Sequence, residues 1–265
     1  MNDAFLRTGD PDAPVRLLVF PHAGGSASAY LSFVQSLRPG YEALLFELPG
    51  RDEGEAAARP KDFEAAVDGL APGFRAAVDR PCVVFAHSMG ALLAHRLVGA
   101  LPAGQRELIR TVVVSAARSP RSAADIATMP DAPFVARTRA SVLADLRRFG
   151  GCPPELFEDE QLIDHFVDVL GHDLHLADTY TQGTGCHDGV PYEVWYGTDD
   201  TTLDQESLRS WSESTPQSAE PRGFPGAHFY LFEHPGAGAA LRELLDGAAG
   251  LTNAVKTSDG QLLIE

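Results

Sequence analysis

The chain has 265 residues, 44% of them hydrophobic and 22% charged, enough to bury a substantial core in one large domain or two small ones. A formal net charge of −16 excludes a nucleic-acid surface, which needs clustered Lys and Arg. Residues 1–12 carry acids and Pro without an apolar run, so no signal peptide is expected, and no apolar stretch approaches membrane-spanning length. Three widely spaced cysteines, Cys82, Cys152 and Cys186, fit reduced thiols in a cytoplasm better than a disulfide framework or a zinc site.

In chain order, residues 15–20 read as a buried strand. It runs into Pro21-His22-Ala23-Gly24-Gly25-Ser26, a small-residue loop whose backbone N–H groups can point into open space. The dinucleotide pattern G-x-G-x-x-G is absent. A helix over 28–37 and a strand over 42–48 follow, the latter ending at Pro49-Gly50-Arg51. The next helix, 62–79, carries Phe63, Ala66, Val67, Leu70, Phe74 and Val78 near helical spacing. A short apolar run from Cys82 makes another strand, turns sharply at small residues and continues as a helix through Ala91-Leu92-Leu93-Ala94; residues 111–115 form one more strand. Such alternation predicts a mostly parallel sheet with helices on both faces. It breaks between about 119 and 189, where only helical segments, 133–148 and 159–180, are evident. It resumes with a strand at 190–196, a helix at 204–214, a strand near 219–223 and a last helix at 236–248. The expected organisation is an α/β core over 1–118 and 190–250, an all-helical insertion over 119–189, and a tail over 251–265.

The chemistry centres on Ala86-His87-Ser88-Met89-Gly90. A Ser at a strand-to-helix corner matches the nucleophile elbow of α/β-hydrolases, G-x-S-x-G. The corner needs small residues two places either side of the Ser, because the two backbones nearly touch; Gly90 meets that need and Ala86 adds one methyl. A serine hydroxyl requires a base, and the base an orienting group. In the order Ser…Asp…His, only His228 and His234 follow the 190–196 strand. His228, in Gly226-Ala227-His228-Phe229, is the candidate base, whereas His234 suits a surface or capping role. Gly197-Thr198-Asp199-Asp200 offers two acids. Asp200 is preferred because the acid of the hydrolase pattern typically stands three places beyond that Gly, leaving Asp199 to stabilise the turn. Oxyanion donors are expected from the backbone N–H of Met89, at a helix N-terminus, and of Ala23. His22 and His87 read as groups that fix loop geometry. His172, Asp173 and His175 read as the solvated face of a surface helix rather than a metal site, and Cys82 as an inert core residue.

Longer stretches carry a more specific resemblance. Phe20-Pro21-His22-Ala23-Gly24-Gly25-Ser26-Ala27-Ser28-Ala29-Tyr30, Leu48-Pro49-Gly50-Arg51, Ala86-His87-Ser88-Met89-Gly90-Ala91 and Gly226-Ala227-His228-Phe229 are similar to motifs of the type II thioesterases of polyketide and nonribosomal peptide synthesis. So is Leu146-Arg147-Arg148-Phe149-Gly150-Gly151-Cys152-Pro153-Pro154-Glu155, within the helical insertion, which general esterases do not share. Ala86 replaces the usual Gly, and His22 stands where Tyr is common. The resemblance implies an α/β-hydrolase fold and a free-standing editing enzyme; a cytoplasmic monomer without cofactor or metal is expected. Its partner would be an acyl- or peptidyl-carrier protein bearing acyl-phosphopantetheine. Ser88, His228 and Asp200 would hydrolyse the thioester, Ala23 and Met89 would hold the oxyanion, and the insertion would act as a lid over the acyl chamber. A small-ester carboxylesterase and a non-catalytic binding protein are the alternatives. Arg118, Arg121, Arg137, Arg139, Arg147 and Arg148 stand against only Asp125, Asp131 and Asp145 over 118–148, and no Lys or Arg follows until after Leu208. This basic stretch is either solvated helix surface or the place where an acidic carrier docks.

Overall fold

Strand residues alternate between two covers, and that alternation builds the molecule. Leu18, Phe20, Val84, Ala86, Val112 and Val114 pack on one face; Leu17, Val19, Val83, Phe85 and Val113 pack on the other. In the computed structural model the described residues are 5–37, 40–51, 56–120, 123, 137–150, 157–181, 189–213 and 220–250. Their seven strands are β1 (Phe5–Gly9), β2 (Arg16–Phe20), β3 (Glu42–Phe46), β4 (Cys82–His87), β5 (Ile109–Ser115), β6 (Tyr192–Gly197) and β7 (Arg222–Phe224). They form one sheet in the order β1-β3-β2-β4-β5-β6-β7. All pairings are parallel except β1 with β3, which run antiparallel with Phe5 opposite Phe46. The central strands carry continuous apolar runs, Leu17–Phe20, Cys82–Ala86 and Val112–Val114, as strands covered on both faces do.

The helices among the described residues are α1 (Leu31–Ser36), α2 (Phe63–Ala77), α3 (Met89–Gly99), α4 (Ala103–Arg106), α5 (Arg139–Phe149), α6 (Glu160–Asp178), α7 (Gln205–Glu213), α8 (Tyr230–Glu233) and α9 (Pro235–Ala248). Helix α2 starts where the Asp62 carboxylate accepts the Ala65 N–H at 2.8 Å, and its expected apolar stripe is buried. With α3 it covers one face; α1 and α9 cover the other. Between β5 and β6 the described elements are α5 and α6. Val142 and Leu146 of the first pack on Ile163, Val167 and Leu170 of the second.

The α/β architecture matches the sequence expectation; several boundaries and one strand do not. β1 lies in a segment with no apolar run and is held by its pairing to β3 and by Arg7, which donates to Glu42 at 2.7 Å. β3 stops two residues short of the expected 48, and β5 begins at Ile109 rather than 111. α5 begins after Thr138, whose hydroxyl accepts the Ser141 N–H at 3.1 Å while the Ser141 hydroxyl accepts the Thr138 N–H at 3.0 Å, a reciprocal cap. Arg137 and Thr138, expected to be helical, precede the first turn of α5 and are not. Residues 133–136 lie outside the described residues, as do Cys152, Cys186, Arg121, Asp125, Asp131, residues 151–155 of the insertion motif, Ser214, Ala219 and the tail 251–265.

Candidate active site

Each candidate residue follows the C-terminal end of a parallel strand, the edge where open α/β sheets place ligands. Ala23 follows β2, Ser88 follows β4, Asp200 follows β6 and His228 follows β7. Ser88 has φ 54° and ψ −122°, a conformation that costs a non-Gly residue about 1–3 kcal/mol. The neighbours dictate it. The Ser88 N–H donates to the Ser115 carbonyl at 2.8 Å, and its own carbonyl starts α3 by accepting from Ala91 at 3.0 Å. Gly90 sits so close to β2 that a Cβ there would run into the carbonyl oxygens of Phe20 and Pro21. Ala86 is fully buried within the sheet, so its methyl is accommodated.

His228 Nδ1 lies 2.8 Å from Asp200 Oδ2. The other carboxylate oxygen, Oδ1, accepts from the Thr202 N–H at 2.8 Å and the Thr202 hydroxyl at 2.6 Å. Burial alone would raise the Asp200 carboxyl, but the hydrogen bonds from His228 and Thr202 and the charge of His228 outweigh it and hold Asp200 below the usual carboxylate range. An imidazole whose Nδ1–H is held by a carboxylate keeps its lone pair on Nε2, the tautomer a general base needs. The acid and histidine loops are laced together by backbone: Thr198 N–H donates to Phe224 O at 2.8 Å and Asp199 N–H to Gly226 O at 2.9 Å. A Cβ on Gly197 would collide with the carbonyls of Ala227 and Gly226. Asp199 is exposed and contributes backbone here, and His234 caps α9 by accepting the Gly236 N–H at 3.2 Å.

Ser88, His228, Ala23 and Met89 line one cavity of about 240 Å³, together with Leu92, Leu203 and Phe149. Its charged wall comprises Arg118, Arg137, Arg148, Asp145 and Asp178. Among the described residues no hydrogen bond joins the Ser88 hydroxyl to His228; such bonds are often long until substrate is bound. The loop donors sort themselves. The His22 N–H donates to Tyr30 Oη at 3.3 Å, the Gly24 N–H to Asp173 Oδ2 at 2.7 Å and the Gly25 N–H to the His22 carbonyl at 2.9 Å. Of the four N–H groups from His22 to Gly25, only that of Ala23 is without an acceptor among the described residues. A second cavity, about 440 Å³ and lined by Phe149, Phe166, Leu170, Phe229 and Phe232, adjoins the first at Phe149 and Ala23.

His22 and His87 are tied into this wall. His22 Nδ1 lies 2.7 Å from Tyr30 Oη, and its ring meets Phe229 at 4.7 Å. Burial, with His228 nearby, lowers its pKa from 6.5 to about 3. His87 Nδ1 lies 2.9 Å from Ser115 Oγ, which in turn lies 2.7 Å from Tyr230 Oη. Burial pushes the His87 pKa well below the ordinary value, so this ring stays neutral. Cys82 is a buried free thiol whose pKa burial raises to about 12.

Three features escaped the sequence. Thr202 orients Asp200, and the turn pattern Asp200-Thr201-Thr202 was the available signal. The Phe149 ring lies against that of His228, tilted, with centroids 5.1 Å apart, bringing the insertion motif into the site. The third is a correction: Asp173 is not on a solvated face. It is fully buried, its carboxylate 2.7 Å from Arg51 Nη2, while His172 Nε2–H donates to the Pro60 carbonyl at 2.8 Å. A signal existed in the helix itself, for Asp173 falls between Leu170 and Leu176 on the buried stripe of α6. Among the described residues no group of three or more His, Cys, Asp or Glu side chains is placed to hold a metal ion, and no helix is long and apolar enough to cross a membrane.

A mostly parallel sheet with a strained serine elbow on its middle strand, an acid after β6 and a histidine after β7 defines an α/β-hydrolase. Within that class the family model described as a thioesterase domain matches residues 15–245, and the chain belongs to the thioesterase family. It is 30% identical over 230 residues to thioesterase PikA5 of Streptomyces venezuelae, covering 83% of this chain and 77% of that protein. It is also 30% identical over 225 residues to the "probable cadicidin biosynthesis thioesterase" of Streptomyces griseus; the match covers 83% of this chain but spans only 59% of that relative's length. Among solved structures, the type II thioesterase BorB from the borrelidin biosynthetic cluster is 30% identical and superposes with a TM-score of 0.73, covering 89% of this chain and 94% of the other.

Proposed function

We propose that this protein is a cytoplasmic, monomeric thioesterase that removes stalled or aberrant acyl groups from the phosphopantetheine arm of a carrier protein. The observation that carries the chemistry is the Asp200–His228 hydrogen bond at 2.8 Å beside a cavity that Ser88 shares. The biosynthetic thioesterases it resembles support the substrate class. Ser88 Oγ attacks the thioester carbonyl while His228 Nε2 takes its proton. The N–H groups of Ala23 and Met89 hold the oxyanion, and collapse expels the pantetheine thiolate, which takes the proton back from His228. A water activated by His228 then hydrolyses the acyl-Ser88 ester. Asp200, held ionised, keeps His228 in the required tautomer throughout. The α5–α6 segment acts as a lid, with Phe149 above His228 and the cavities between lid and core taking acyl chain and arm.

The test is turnover of an acyl-carrier protein against a simple aryl ester, with Ser88→Ala as control. A higher kcat/KM for the acyl-carrier protein, lost in Ser88→Ala, is the expected result. A preference for the aryl ester would turn the reading toward a general esterase, and no turnover of either would turn it toward a binding protein.

A further inference from the structure

Asp173 is a buried charge with no step in the chemistry above, and its contacts explain what it is for. Its Oδ2 accepts the Gly24 N–H at 2.7 Å and pairs with Arg51 Nη2 at 2.7 Å; its Oδ1 lies 3.4 Å from His172 Nδ1. One turn earlier on the same helix, Leu170 packs on Gly24 so closely that a Cβ on that glycine would lie 3.2 Å from the Leu170 Cβ and Cδ1. Gly24 also has φ +78°, so the peptide between Ala23 and Gly24 is held in a conformation that other residues rarely adopt. The Ala23 side chain packs on the same α5–α6 cluster. Helix α6 therefore grips the loop at the residue next to Ala23, whose N–H has no acceptor among the described residues. Arg51, from the loop after β3, neutralises the carboxylate, so the charge is not felt as repulsion by an oxyanion nearby.

We infer that Asp173 is a positioning residue: through Gly24 it aims the Ala23 N–H at the oxyanion, so that oxyanion binding depends on α6 being docked. The inference rests on the assignment of Ser88 and Ala23 proposed above. A buried ion pair is costly to separate, because each charge left alone stays desolvated. Displacing α6 would strand Arg51 and release Gly24 in one motion.

The experiment compares two double variants chosen to leave no unpaired charge. Asp173→Leu with Arg51→Met removes the acceptor for Gly24; Asp173→Asn with Arg51→Met keeps one. Each is assayed for kcat and KM on a small acyl-N-acetylcysteamine thioester, for melting temperature, and for affinity toward benzeneboronic acid, which forms a tetrahedral adduct with a reactive serine. The Leu/Met variant should lose kcat by about 10²-fold, as expected for a displaced oxyanion donor. Boronate affinity should fall in parallel while KM stays within about twofold, the signature of lost transition-state binding. The Asn/Met variant should recover most of both. Wild-type kcat in the Leu/Met variant would overturn the inference, as would equal losses in the two variants or a loss confined to KM. Ser88→Ala separates this from the underlying reading. If it abolishes hydrolysis while the Asp173 variants behave as wild type, only the positioning role falls. If it stays active, the site assignment falls and the positioning role with it.

Discussion

The serine elbow and the α5–α6 pair lie on the same cavity, yet different kinds of force shape them. At the elbow, backbone geometry decides. Ser88 takes a positive φ and Gly90 has no room for a Cβ because β4, α3 and β2 converge there. In α5–α6, side chains paired over long sequence distances decide. Arg137 donates three hydrogen bonds to Asp178, 41 residues on, from Nε at 3.0 Å and from Nη2 at 2.8 and 3.0 Å, and a fourth to Asp145 at 2.7 Å. Arg139 donates to Asp164 at 2.7 Å, and Asp173 reaches back to Arg51. A constraint of the first kind is written in five consecutive residues; for one of the second kind the local sequence gives at most the buried face, and the partner lies elsewhere in the chain.

The largest effect tests the elbow. Ser88→Ala should reduce hydrolysis of an acyl-carrier protein by about 10⁴-fold or more, because the hydroxyl is the group proposed to form the acyl-enzyme. His228→Ala should be comparably severe. A Ser88→Ala enzyme retaining more than a few per cent of wild-type kcat, free of contaminating esterase, sinks the assignment. The acid loop comes next. Asp200→Asn should lower kcat by roughly 10³–10⁴-fold, since an amide can hold His228 in the wrong tautomer. Asp199→Asn should change kcat by less than about twofold, its exposed carboxylate being clear of the proposed chemistry. Equal kinetics in the two variants would show that the Asp200–His228 hydrogen bond is not used in the reaction.

This contrast accounts for what the sequence disclosed. The sheet core was legible because short apolar runs mark strands buried on both faces and period-3.6 spacing marks the buried face of α2. The position of Asp200 was legible from its spacing to Gly197. β1 was not, because Phe5–Gly9 owes its extended form to hydrogen bonds with a strand more than thirty residues away. Asp173 was misread because acids in a helix are usually solvated; its burial depends on Arg51 and on the Gly24 N–H, which come from two other loops. The same holds for the basic stretch. Of its arginines, Arg137 and Arg139 are paired with carboxylates, Arg147 lies 5.4 Å over the Phe157 ring and Arg118 donates to the Thr202 carbonyl at 3.3 Å.

A pH experiment sharpens the comparison on the elbow side. His22 is lowered from 6.5 to about 3 by burial and the neighbouring His228, so the folded chain keeps it neutral where the unfolded chain takes a proton. The unfolded state binds more protons below pH 6.5, and stability must fall as pH falls through 6.5 and on toward about 3. His22→Phe removes that proton-binding difference. It also removes the bond to Tyr30 Oη, costing about 1 kcal/mol at neutral pH. The variant should therefore melt lower at pH 7.5 yet lose less melting temperature than wild type between pH 7.5 and pH 5. An identical drop in both proteins would show that His22 does not titrate as its surroundings require.

The smallest effect probes the α5–α6 side through Arg148. It lines the Ser88 cavity, is exposed, and has no hydrogen-bond or ion-pair partner among the described residues. The carrier proteins proposed as partners are acidic, and a chain with net charge −16 repels them except where positive charge is left uncompensated. Arg148 is such a place, exposed and on the wall of the cavity that holds Ser88. Charges of this kind act mainly on association and are screened over a Debye length of about 10 Å at 0.1 M salt. Arg148→Glu should thus lower kcat/KM for an acyl-carrier protein by about three- to tenfold at low salt and flatten its dependence on ionic strength. An acyl-N-acetylcysteamine thioester carries neither phosphate nor protein, so its kcat/KM should fall much less. Equal losses on both substrates would mean that the substitution disturbs the cavity itself, and wild-type kinetics on both would place carrier docking elsewhere on the surface.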